Sequence, residues 1–342
     1  MSGSTLLNTA QANKKDEFYT QIGDIEKELM RYKSHFEGKA VYCNCDDPLT
    51  SNFALFFKQH FDEYGLTRLI CSCYDPEKGR FFSKAGQGRA MKMDYTGGGD
   101  TPRLTEMRGN GDFRRTEALA LLRECDIVVT NPPFSLFREF ISLMARSSKK
   151  FLVLGNINAV SYKECFSLIK AGKMWLGHSI HSGDREFRVP QDYPLNASGT
   201  RVDDAGNRYI RVKGVRWFTN MEYEGLLDEI PLTARYDAEH YPKFDNVDAI
   251  NVSKTRDIPY DYDGLMGVPI TFMDKYNPNQ FEIVGNEYTL GLSGGRCYLS
   301  GKRMYSRIFI RRRHYAESGM ESSQAVSRNE MRVERTADLA IF

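Results

Sequence analysis

The chain has 342 residues, 41% hydrophobic and 27% charged, with a formal net charge of +2. This is an ordinary globular composition with room for two or three domains. No run approaches the ~20 apolar residues that cross a bilayer. The opening MSGSTLLNTAQANKKDEF lacks the apolar core of a secretion signal, so a cytoplasmic protein with no membrane partner is expected. Seven cysteines, an odd number, fit a reducing compartment better than a disulfide framework.

Residues 16–33 carry Ile22, Ile25, Leu29 and Tyr32 at helical spacing and predict a helix. A strand over 40–45 follows, then a helix over 51–64 bearing Phe53, Phe56, Phe57 and Phe61, and a strand over 66–73. A Gly-rich irregular stretch comes next. Beyond it the pattern predicts a helix over 116–123, a strand over 127–130, a helix over 136–145, a strand over 151–154 and a helix over 162–170. Strands alternating with helices of this length imply right-handed crossovers and a mostly parallel sheet, with ligands beyond the carboxyl ends of its strands. Apolar runs at 173–177 and 215–219 suit an antiparallel pair at the sheet edge, with 178–213 inserted between them. After residue 225 short β-like pieces at 267–272, 281–284 and 304–310 predict a separate β-rich module. The polar residues from Glu317 onward read as loosely ordered.

The strongest chemical signal is Asn131-Pro132-Pro133-Phe134, directly after the apolar strand Ile127-Val128-Val129-Thr130. The prolines cannot extend a ladder, and a residue before proline is kept out of the helical region. The Asn131 carboxamide is thereby held at the strand's carboxyl edge. Its oxygen and the Pro132 carbonyl are both acceptors, a pair suited to gripping the two hydrogens of a planar amine. Phe134 offers a face for an extruded base. A strand followed by a proline turn without chemistry is the bland alternative.

The segment resembles the motif of the N6-adenine methyltransferases, whose Asn form also serves guanine-N2 RNA and glutamine methyltransferases. Asp16-Glu17-Phe18-Tyr19-Thr20, Cys43-Asn44-Cys45-Asp46-Asp47-Pro48, Gly111-Asp112-Phe113, Trp217-Phe218-Thr219-Asn220 and Gly267-Val268-Pro269-Ile270-Thr271-Phe272 narrow the likeness. In this order they resemble the EcoRI-type adenine-specific DNA methyltransferases, from about Lys15 to about Arg311. The tail after Arg312 falls outside the likeness. The resemblance implies a Rossmann-like methyltransferase sheet, mostly parallel with an antiparallel edge pair, plus a C-terminal β-rich target-recognition module. It divides the chain into an N-terminal segment (1–35), a catalytic domain (36–225, insertion 178–213), a recognition module (226–315) and a flexible tail (316–342). It also implies S-adenosyl-L-methionine as cofactor and duplex DNA as substrate, with no obligate protein partner. Phe18, Tyr19 and Thr20 would line the cofactor's methionine end, with Asp46 and Asp47 ending the first strand beside it. Asp75 would accept from the ribose hydroxyls, and Asp112 and Phe113 would meet the cofactor adenine. The usual Gly-rich turn after the first strand is missing, as it is in that family.

From Arg296 to Tyr315 there are seven Lys or Arg and no acid. Arg303, Arg307, Arg311, Arg312 and Arg313, interleaved with Tyr305 and Phe309, suit phosphate contacts. Cys43, Cys45, Cys71 and Cys73 lie two apart within strands, not at the turn spacing of a zinc site, and read as small buried hydrophobes. Gly97-Gly98-Gly99 reads as a loop rather than a phosphate cradle. No metal is expected. The rival readings are a guanine-N2 RNA methyltransferase and a DNA-binding protein without catalysis.

Overall fold

The structure is a computed structural model that describes residues 19–75, 90–189, 191, 195 and 199–313. Phe18 and the tail 316–342 lie outside the described residues.

Helix α1 (Ile22–Leu29) runs into a 3-10 turn (Met30–His35), and its expected stripe faces inward: Ile25, Leu29 and Tyr32 are fully buried. Then come β1 (Ala40–Cys43), α2 (Asn52–Gln59), β2 (Arg68–Ser72), β3 (Met91–Tyr95), β4 (Arg103–Glu106), α3 (Thr116–Glu124) and β5 (Ile127–Thr130). They are followed by α4 (Phe137–Ser147), β6 (Lys150–Asn156), α5 (Lys163–Lys170), β7 (Trp175–Leu176), β8 (Asp184–Val189), β9 (Thr200–Val202), β10 (Arg208–Lys213) and β11 (Val215–Thr219).

Eight of these strands form one sheet in the order β4-β3-β2-β1-β5-β6-β11-β7. Strands β2, β1, β5 and β6 run parallel at its centre. The expected antiparallel pair is present, with β11 lying between β6 and β7. The opposite edge differs from expectation. The stretch expected to be irregular holds β3 and β4, paired antiparallel beyond β2. Their residues are mostly half-buried or exposed, so no apolar alternation announces them.

Side chains alternate across the central strands, as a pleat requires. Tyr42, Ile70, Val128, Phe151 and Val153 face one hydrophobic cluster, shared with Leu121, Phe140, Ile141 and Phe166 of helices α3, α4 and α5. Val41, Cys43, Leu69, Cys71, Val129 and Leu154 face the other, shared with α1, α2 and the insertion. Helices therefore cover both faces. Cys43 and Cys71 are buried neighbours on adjacent strands, while Cys45 and Cys73 are partly exposed.

The insertion is a three-stranded antiparallel sheet, β8-β10-β9. Beyond it β12 (Ile250–Asn251), β13 (Met266–Pro269), β14 (Phe281–Asn286), β15 (Tyr298–Leu299), β16 (Lys302–Arg303) and β17 (Arg307–Arg312) make up the β-rich part. Four of them form a sheet in the order β12-β13-β17-β14. This sheet is less separate than the sequence suggested: its Ile250, Met266, Val268, Phe281, Ile308 and Ile310 belong to the same cluster as α4 and α5. A buried ion pair ties the two parts, Arg216 Nε to Asp274 Oδ1 at 2.6 Å and Arg216 Nη2 to Asp274 Oδ2 at 2.9 Å.

Candidate active site at the carboxyl edge of the sheet

Moving outward from β1, the next strand in sequence lies on one side and β5 lies on the other. Strand order therefore reverses between β1 and β5, the place where an open α/β sheet leaves a crevice for ligand. Most of the expected site residues stand along this edge.

At the end of β1 the backbone N–H of Asp46 donates to Ser72 O at 3.0 Å, anchoring the turn to β2. The Asp46 carboxyl is 7% exposed. Ser51 Oγ donates to its Oδ1 at 2.7 Å, Thr130 Oγ1 donates to its Oδ2, and the backbone N–H of Asn131 also reaches it. Burial pushes its pKa up to about 6 against these three donors. Asp47 Oδ1 accepts from the N–H groups of Leu49 (2.8 Å) and Thr50 (3.0 Å). Ser51 then caps α2 by accepting from Phe53 N–H at 3.1 Å. These side-chain bonds hold a turn that would otherwise fall to glycines, which accounts for the missing Gly-rich signature.

Asn52, which the sequence reading overlooked, reaches from the start of α2 to donate to Thr20 O at 2.7 Å. Thr20 is 4% exposed, and its hydroxyl has no hydrogen-bond partner among the described residues. Tyr19 is held by a two-way backbone bridge to Arg188 of β8, at 2.9 and 3.2 Å, with the Arg188 guanidinium 5.6 Å from the Tyr19 ring. The insertion thus pins the segment expected to line the cofactor.

At the end of β2, half-buried Asp75 donates its N–H to Asn110 O at 2.8 Å. Gly111 has φ +74°, and a Cβ there would stand 1.9 Å from Cys73 O. Only glycine lets this loop lie so close to the end of β2. Asp112 follows, bound bidentately by Arg114 at 2.9 and 2.7 Å. Burial works to raise its carboxyl, but Arg114 outweighs that and holds it below the ordinary value. Phe113 turns into the core, its ring 5.1 Å from that of Phe140. Asp112 is itself 8% exposed, so neither residue of this pair presents an open face.

At the end of β5, Thr130 is fully buried, Asn131 and Phe134 are half-buried and Pro132 is buried. The Asn131 carboxamide oxygen is itself shielded from solvent. Pro133 O accepts from Leu136 N–H at 2.9 Å, opening a 3-10 turn (Phe134–Leu136) that leads into α4. The edge therefore brings together Thr20, Asp46, Asp75, Asp112 and Asn131.

The arginines expected to meet DNA lie elsewhere, on the C-terminal sheet, and one of them is reassigned. Arg307 is 7% exposed within β17, which is flanked by β13 and β14. Its Nε and Nη2 donate to Asn251 Oδ1 at 3.3 and 3.2 Å, its N–H donates to Glu287 Oε1 at 2.7 Å, and burial lowers its pKa. It braces the sheet and has no face to offer a phosphate. Phe309 is fully buried too. Arg303, Arg311 and Arg313 are exposed and Arg312 is half-exposed.

A doubly covered sheet with an Asn-Pro-Pro-Phe loop at its switch point defines a group-transfer enzyme acting on a planar amine. Comparison with known proteins sharpens this. A family model described as "Adenine-specific methyltransferase EcoRI" matches residues 6–337. The chain is 45% identical over 314 residues to the Type II methyltransferase M.EcoRI of Escherichia coli, covering 90% of this chain and 96% of that protein. It is 38% identical over 325 residues to the Type II methyltransferase M.MpnI of Mycoplasma pneumoniae, covering 90% and 98%. The Type II methyltransferase M.MgeORF184P of Mycoplasma genitalium matches at 36% over the same shares. No solved structure matches. The chain belongs to the EcoRI family of adenine-specific methyltransferases. The family match runs past Arg312 to residue 337, so the tail, expected to fall outside the likeness, is largely within it.

Proposed function

We propose that this enzyme moves a methyl group from S-adenosyl-L-methionine to the exocyclic N6 of an adenine turned out of duplex DNA, at a specific sequence, as part of restriction and modification. The observation that carries this is the placement of Asn131 and Pro132 at the carboxyl end of β5, on the β1–β5 switch point.

The residues present fit the cofactor. The Thr20 hydroxyl is buried with no hydrogen-bond partner among the described residues, and a polar ligand atom would satisfy it, since leaving such a group unpaired is unfavourable. Asp75 ends β2 where a ribose can be met, and the loop 110–113 lies against it. The cofactor, when bound, supplies an electrophilic sulfonium methyl. Thr20, with Tyr19 beside it, holds the methionine end, Asp75 accepts from the ribose hydroxyls, and Asp112 stands near the adenine.

The target amine is weakly nucleophilic because its lone pair is delocalised into the ring. The Asn131 carboxamide oxygen and the Pro132 carbonyl each accept one of its hydrogens, which favours a tetrahedral nitrogen and stabilises the positive charge that develops there. Phe134 stacks on the extruded base. The extra proton leaves for solvent after transfer, so no strong base is needed. Residues 36–225 carry this chemistry. Residues 226–315 read the site, with Arg303, Arg311, Arg312 and Arg313 meeting phosphates.

Tritiated S-adenosylmethionine offered separately with plasmid DNA, total RNA and protein tests the reading. Label in DNA, recovered as N6-methyladenine, is the expected result. Label in RNA or protein, or none in any of the three, overturns it.

A further inference from the structure

We propose that Asp46 is a positioning residue for methyl transfer, its buried carboxylate holding the Asn131 backbone across the switch point and so aiming the two acceptors at the adenine amine. The inference rests on the reading that Asn131 and Pro132 grip that amine.

The β5–β6 ladder ends at Thr130↔Val153. Past that end the Asn131 N–H donates to the Asp46 carboxyl. The same carboxyl takes the hydroxyl of Thr130, whose oxygen in turn accepts from Cys45 N–H at 3.1 Å. It also takes the hydroxyl of Ser51, the cap of α2. Through its own N–H to Ser72 O it is tied to β2. The side chain thus locks together the ends of β1 and β5 and the start of α2, and the backbone of the same residue adds the tie to β2.

Direct contact with the cofactor, the role the family resemblance implies for Asp46, fits poorly. One oxygen is taken by Ser51 and the other by Thr130, and the residue is 7% exposed. A role in folding alone also fits poorly. A neutral acceptor would hold the same turn without the penalty of burying a charge. What the carboxylate adds is a stiffer bond to three donors, because charge-assisted bonds are shorter and stronger than neutral ones. Stiffness matters where an ångström of misplacement slows a reaction ~100-fold.

The test uses the full chain with Asp46→Asn, Thr130→Val and Asn131→Ala. Three quantities are read: S-adenosylhomocysteine affinity, single-turnover methylation of plasmid DNA at saturating cofactor, and melting temperature. For Asp46→Asn the expected result is a rate at least ~10-fold lower, cofactor affinity within ~3-fold of wild type, and a melting temperature unchanged or raised. Thr130→Val, which keeps the carboxyl and removes one of its donors, should lower the rate in the same direction and serves if Asp46→Asn does not fold. A normal rate in both overturns the proposal. Lost cofactor affinity with a normal saturated rate also overturns it and makes Asp46 a cofactor ligand. If Asn131→Ala abolishes turnover while Asp46→Asn keeps the wild-type rate, only the positioning role falls. If Asn131→Ala turns over normally, the amine grip itself falls.

Discussion

The loop after β5 and the strand β17 both carry residues that the sequence marks as functional, and the structure treats them in opposite ways. Asn131 stands at the rim of the crevice, where its chain position and its two following prolines put it. Arg307 sits inside a sheet, its guanidinium bonded to Asn251. The first placement is local, since proline geometry acts on adjacent residues. The second depends on β13 and β14 arriving on either side of β17, which no window of sequence around Arg307 encodes. Local constraint makes a functional residue readable, whereas burial is decided by remote pairing.

The sharpest way to break this contrast is Asn131→Ala. Turnover should fall at least ~100-fold with S-adenosylhomocysteine affinity little changed, the scale of losing one preorganised polar contact. Near-normal turnover would remove the rim from the chemistry. On the other side, Arg307→Ala should lower unfolding free energy by about 2–4 kcal/mol in urea titrations, through a cavity and a stranded acceptor. The salt dependence of DNA binding should stay as it was. A changed salt slope with intact stability would return Arg307 to the DNA.

Asp75→Ala should weaken S-adenosylhomocysteine binding ~10-fold, the worth of hydrogen bonds to a charged acceptor, and leave DNA affinity intact. Unchanged cofactor affinity would make Asp75 a turn residue only. The rim should also show in pH. Burial raises Asp46 from the usual 3.8 to about 6, and the neighbouring charge of Asp47 adds to the rise. The folded state therefore binds the proton more tightly than the unfolded chain, so this group favours folding most below pH 3.8, and that advantage is lost as pH climbs through about 6. Methyl transfer runs the other way if the charged clamp matters. The single-turnover rate should drop as pH falls below about 6, and Asp46→Asn should flatten that limb. The smallest effects belong to Arg303, Arg311, Arg312 and Arg313. Each Ala variant should shrink the log–log salt slope by roughly one unit with stability within ~0.5 kcal/mol.

The parallel centre and the antiparallel β11–β7 edge were legible because Val41, Val129 and Leu154, and Trp217 and Phe218, form apolar runs of strand length. Strands β3 and β4 were not, because Lys92, Asp94, Arg103 and Glu106 break the pattern at an edge that water partly wets. At the site, Asn131, Asp46 and Asp75 could be placed from strand ends. Asn52 and Arg188 could not, because each acts through a contact with Thr20 or Tyr19 far away in sequence. Only the Ser51-Asn52 pair at a helix start hinted at a capping role.

The bridge between Tyr19 and Arg188 also bears on how the molecule is made. About 170 residues separate its two halves. At ~5–20 residues per second a ribosome needs roughly ten to thirty seconds between them. Through that interval Tyr19 waits with β8 not yet translated. The bridge therefore closes late on the ribosome, after β1, β2, β5 and β6 have all been synthesised.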